Sequence, residues 1–143
     1  MTALTAPRNT ARIGDTNHPS LFKAPIAAST KLYQGGIVCL NASGLAVPGI
    51  VSTTLKAMGV ALKTYDNSTG GAAAFNVEAR AGLHWFNSGT AGDAIAQANV
   101  GALCYIMDDN TVGLTTGAAT RSIAGTIVDV SATDGVAVRI SLT

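Results

Sequence analysis

From Gly35 onward the chain is cut into short runs rich in β-branched and aromatic residues, each bounded by turn-forming clusters. Strands are expected over Ile37–Leu40, Leu45–Val47, Ala57–Leu62, Ala73–Arg80 and Leu83–Phe86, and over Leu103–Met107, Val112–Leu114, Ile123–Val130 and Val136–Leu142. The last is the clearest, because Val136, Val138, Ile140 and Leu142 alternate with Ala137, Arg139 and Ser141. Asn41–Gly44, Asp66–Gly71, Asp108–Asn110 and Ser131–Gly135 read as turns, since Asp, Asn and Gly tolerate left-handed backbone. One short helix is expected over Asp93–Val100, with Asp93 capping its start and Gly101 its end. The fold class this implies is mainly β: a small antiparallel β-barrel or β-sandwich with at most one or two short helices.

The first 34 residues differ. They hold Pro7, Pro19 and Pro25, three of the four prolines, and define no apolar face. They read as an extended N-terminal arm, residues 1–34, ahead of a β domain, residues 35–143. Charge follows the same division. Residues 1–63 carry six basic groups and one acid, net +5, and residues 64–143 carry three basic groups and seven acids, net −4. A basic arm beside an acidic body suggests pairing with a neighbouring subunit. Arg8, Arg12, Lys23 and Lys31 are the candidate charged contacts, with Leu21, Phe22 and Ile26 as apolar anchors. The alternative is that the arm folds back on its own domain as a first strand.

Only 12% of residues are charged, against about 25% in an average domain. The net charge is +1, which gives no general attraction to nucleic acid or anionic lipid. Low charge near neutrality promotes association, so a subunit covered by an assembly is expected. The longest charge-free run, Leu32–Leu55, is broken by Gln34-Gly35-Gly36, Asn41–Gly44 and Pro48-Gly49, which argues against a membrane helix. The start has no apolar core of a secretory signal, so a reducing cytoplasm is expected. Cys39 and Cys104 lie among apolar residues and read as buried free thiols.

No catalytic, metal or cofactor residues are expected. Ser20-Leu21-Phe22-Lys23 matches an S-x-x-K pattern but has no companion motif. His84 shares a strand with Trp85, and alternation sets His84 and Phe86 on the face opposite Trp85. His18 has no local partner for a metal. Asp108-Asp109-Asn110 lacks the acidic closer of a calcium loop and reads as a hairpin tip.

Three stretches carry a resemblance. Tyr105 to Val112 reads Y-x-x-D-D-x-T-V, Arg121 to Gly125 reads R-S-x-A-G, and Gly135 to Arg139 reads G-V-x-V-R. With Gly59-Val60-Ala61 and Asn87-Ser88-Gly89, they make residues 55–143 similar to the capsid cement or head-decoration proteins of tailed bacteriophages. A Trp common in the last strand of that family is Ala137 here. The resemblance implies a β-rich, commonly trimeric protein without catalysis. It would bind the major capsid protein on the outer surface of the virion, after synthesis in the host cytoplasm. The competing expectation is a carbohydrate- or receptor-binding β module using His84, Trp85 and Tyr105 as a platform.

Overall fold

The computed structural model of the chain describes residues 2–10 and 21–142, with the backbone of Arg12–Ile13 between them. The expected β class is what it adopts, in the form of a closed five-stranded barrel with further sheets. Before the barrel come β1 (Arg12–Ile13), β2 (Leu21–Pro25), β3 (Thr30–Leu32), β4 (Ile37–Leu40), β5 (Ala46–Pro48), β6 (Lys56–Ala61), β7 (Tyr65–Asn67) and β8 (Asn76–Arg80). The barrel strands are β9 (Gly82–Ser88), β10 (Leu103–Ile106), β11 (Thr111–Gly113), β12 (Ile123–Ser131) and β13 (Gly135–Ile140).

The barrel runs in the order β9-β11-β10-β12-β13, and β13 returns to β9 with Val136 opposite Phe86 and Ile140 opposite Gly82. Every pair is antiparallel except β11 with β9. So small a barrel needs strongly coiled strands, and bulges supply the bend. One lies between Cys104 and Tyr105, and another between Ile127 and Asp129. The turn into β13 requires glycine: Gly135 has φ +100°, and a Cβ there would stand 2.1 Å from the Phe86 carbonyl oxygen.

A second sheet has the order β2-β8-β6-β4-β5, all antiparallel, and β3 pairs with β7. A single parallel bridge from Ile26 to Ala46 ties the end of β2 to β5. The molecule therefore has two apolar cores. Phe86, Ile106, Ile127, Val136, Val138 and Ile140 fill the barrel. Ile26, Leu32, Val38, Met58, Tyr65 and Val77 fill the space bounded by the second sheet and the β3–β7 pair.

Strands β4 and β6 form the partition between the cores and are buried on both faces. Ile37 and Cys39 belong to the barrel core, and Val38 to the other. In β6, Ala57 and Val60 join the barrel core while Met58 and Ala61 join the second. Strict alternation would put Ala57 and Ala61 on one face. The pairing shows why it does not: Val38 faces Gly59 and Cys39 faces Ala57, so Met58 is an extra residue and the phase flips.

Three expectations about local structure are corrected. Residues 21–34 are not an arm apart from the domain. β2 and β3 are built into the sheets, and Ala24, Ile26 and Leu32 are buried. Their removal from water outweighs the turn-forming character of the prolines, and Pro25 sits at the end of an edge strand, where a missing N–H is tolerated. The turn expected over Asp66–Gly71 likewise begins inside β7.

The helix expected over Asp93–Val100 is instead two single 3₁₀ turns, Ala91–Asp93 and Gln97–Asn99. Between them Ala94 and Ala96 are extended. Ile95 is buried with the barrel core, and its N–H donates to Ser88 Oγ at 2.9 Å. Asp93 caps no helix. Its carboxylate accepts from Arg121 Nη1 at 2.8 Å and from the Thr115 hydroxyl at 2.6 Å, which holds its acid well below the ordinary value, at about 2.

Candidate functional site

The seven residues expected to contact a neighbour are dispersed, and several are used within the chain. Ile26 is fully buried in the second core, so it anchors the chain to itself. Phe22 is half-buried against the same core. Lys23 lies opposite Glu78 across β2 and β8, with Nζ 3.5 Å from the carboxylate. Lys31 lies opposite Asp66 across β3 and β7 at 3.8 Å, and its ammonium stands 5.0 Å from the Tyr33 ring centroid. Part of the contrast between the basic residues 1–63 and the acidic residues 64–143 is thus resolved by cross-strand pairs. Leu21 remains exposed on the edge strand β2. The backbone of Arg12 pairs with His84, and its side chain lies outside the described residues, as do Ser20 and His18.

Arg8 is half-buried. Its N–H donates to the Gln34 carbonyl at 3.0 Å and its guanidinium to the Trp85 carbonyl at 3.4 Å. Burial lowers its pKa, and the nearby carboxylates of Asp109 and Asp108 oppose that shift. Asp109 moves the other way: burial raises its pKa, against the pull of the Leu4 N–H and of Arg8. Asp109 and Asn110, at the expected hairpin tip, are buried. The cover is the N-terminal segment: Leu4 N–H donates to Asp109 Oδ1 at 2.8 Å and Asn110 Nδ2 to the Thr2 carbonyl at 3.3 Å.

The aromatic platform is not assembled. His84 is buried, its Nε2 is 2.9 Å from the Arg80 carbonyl, and its ring lies 6.3 Å from that of Phe86. Trp85 points from the opposite face of β9, and β11 separates β9 from the strand carrying Tyr105. Cys39 and Cys104 are free, buried in one core, and pushed up to about 12 by burial. Among the described residues no group of three or more His, Cys, Asp or Glu could hold a metal ion. No helix there is long and apolar enough to cross a membrane.

What the described surface does offer is apolar area. Leu103 in β10 and Ile123 in β12 are 45% and 50% exposed, while the intervening Cys104 and Ala124 are buried. Tyr105 lies opposite Ile123. The loop carrying the exposed Ile50 and Val51 is tied to the start of β12, because Ser122 Oγ donates to the Ser52 carbonyl at 2.6 Å and accepts from the Leu55 N–H at 3.0 Å. An open depression of about 400 Å³ lies there, lined by Thr53, Leu55, Lys56, Ile123, Gly125 and Leu142 among others. Of the residues expected in a site, only Tyr105 lies beside this face. Its signal was present in Leu103-Cys104-Tyr105-Ile106, where alternation divides inner from outer side chains. Compared with protein-family models, curated proteins and solved structures, the chain shows no match.

Proposed function

We propose that the chain is a structural virion protein that binds the outer surface of a tailed-bacteriophage capsid lattice and reinforces it without catalysis. Its partners are the major capsid protein and neighbouring copies, as a homotrimer suited to local threefold positions. The observation that carries this reading is the outer face of the barrel, where Leu103 and Ile123 stand in solvent on a chain only 12% charged. Interface centres are apolar and poor in charge. The Tyr105–Val112 hairpin and the start of β12, which carry the family resemblance, flank that face. Leu21 on the edge strand β2 supplies a further exposed apolar contact.

The test is co-sedimentation with capsid shells stripped of decoration, followed by heating. The natural chain should pellet with the shells and raise their disruption temperature. Ile123→Asp and Leu103→Asp should fold, as both sites are exposed, and lose binding at least tenfold. Natural chain that stays in the supernatant, or variants that bind as well, would overturn the proposal.

A further inference from the structure

Two strands begin before their partners reach them. β12 starts at Ile123, yet its pairing with β13 begins only at Thr126. β6 starts at Lys56, yet its pairing with β8 begins only at Val60. Both starts line the open depression of about 400 Å³, and Ser122 joins them through the Leu55 N–H at 3.0 Å. On the β10 side, Ile106 N–H donates to the Ser122 carbonyl at 2.9 Å, and Tyr105 lies opposite Ile123. Main-chain groups of successive residues alternate between the two edges of a strand, so the N–H and C=O of Ile123 point away from β10, to the side where β13 has ended. Neither is hydrogen-bonded to any of the described residues.

This edge differs from the outer edges of the second sheet, which carry Pro25 and Pro48. Ile123-Ala124-Gly125 has neither proline nor charge. The walls beside it are apolar at Leu55, Ala57 and Leu142, and their charge is one-sided: Lys56 and Arg121 line the depression with no Asp or Glu. Arg121 is already paired with Asp93 at 2.8 Å. Lys56 is exposed and has no ion-pair partner among the described residues.

We propose that the depression takes an extended acidic segment of a partner protein, whose main chain pairs with Ile123 and whose carboxylate reaches Lys56. An unpaired strand edge is a template for an added strand, in which main-chain bonds supply affinity and side chains supply selectivity. Small apolar neighbours of the acid suit the walls at Leu55, Ala57 and Leu142. A basic segment would meet Lys56 with no carboxylate in the lining to offset the repulsion. The inference goes beyond the capsid reading and does not depend on it, since the edge and the lysine call for such a segment whatever protein supplies it.

The test titrates the full chain, isotope-labelled, with acetyl-Thr-Val-Glu-Val-Thr-amide and with the same peptide carrying Lys in place of Glu. Amide shifts and hydrogen exchange are read by NMR up to millimolar peptide. The acidic peptide should shift the amides of Lys56, Ala57 and Ile123–Gly125 and slow the exchange of the Ile123 N–H. The basic peptide should bind about tenfold more weakly, because attraction to Lys56 becomes repulsion. Lys56→Glu, at an exposed site, should reverse that preference. Unshifted amides at millimolar acidic peptide, equal binding of the two peptides, or a preference that Lys56→Glu leaves in place would overturn the proposal. The same shifts on concentrating the chain alone would seat a second copy in the depression and overturn the choice of occupant. Capsid shells that bind the chain while neither peptide does would refute this site alone.

Discussion

In the barrel each strand is hydrogen-bonded along both edges, whereas among the described residues the second sheet ends in two edge strands, β2 and β5, that meet through one bridge at Ile26 and Ala46. The two cores are both rich in Ile, Val and Ala; the first is built around Phe86, and the second holds Leu32, Met58 and Tyr65. What differs is how the walls close: a continuous ladder in one case, side-chain packing in the other. The second sheet manages its open edges with Pro25, Pro48 and Lys23, all residues that discourage a foreign strand. The shared partition β4–β6 means that neither core can open without exposing apolar groups of the other.

The sharpest way to break this comparison is to hollow out each core. Phe86→Ala should cost about 3–5 kcal/mol and Met58→Ala about 2–5 kcal/mol by denaturant unfolding. Because of the partition, both should shift one transition. A split transition in the Met58 variant would mean that the second core stands alone.

A smaller effect separates two carboxylates. Asp93 has its acid lowered to about 2 from an ordinary 3.8, so its stabilisation is present above about pH 4 and is lost as pH falls through 4 towards 2. Asp93→Ala should cost about 1–2 kcal/mol at pH 7 by removing the Arg121 and Thr115 bonds, and should flatten the acid limb in that window. Asp109 has the opposite sign. Its folded value is raised by burial, so its ionisation opposes folding and stability falls as pH rises past its ordinary range. Asp109→Asn keeps an acceptor for Leu4 and should leave stability at pH 7 equal or higher; a loss comparable to Asp93→Ala would contradict this.

Thiol labelling sharpens the barrel side. Cys39 and Cys104 should both react slowly in the folded chain and promptly once denatured, since both are buried and poorly ionised. The smallest effect belongs to the surface: Lys31→Ala should change stability by less than about 1 kcal/mol, as the Asp66 pair is exposed.

Most of the barrel was legible because β12 and β13 carry long β-branched runs between turns. Strands β2, β3 and β7 were not. Leu21–Pro25 ends in proline, Thr30–Leu32 is short, and Tyr65–Asn67 carries Asp and Asn. Asn67 looks like a turn residue, yet it is buried and its amide donates to the Ala27 carbonyl at 2.9 Å and the Gly71 carbonyl at 3.0 Å. Such a partner lies forty residues away and leaves no local signal. The outer face at Leu103 and Ile123 was implicit in alternation, but its joining to the loop of Ile50 depends on Ser122, another distant contact.

Native-state hydrogen exchange across both cores tests the shared partition most directly. If β4 and β6 belong to both cores, their amides at Val38, Cys39 and Val60 should exchange only by the same opening that frees β12 and β13, with equal denaturant dependence. Amides of the edge strand β2 should exchange sooner, and those of residues 2–10 sooner still. Exchange of β4 and β6 together with β2, at a lower free energy than the barrel strands, would contradict a common partition and leave the barrel as the sole cooperative unit.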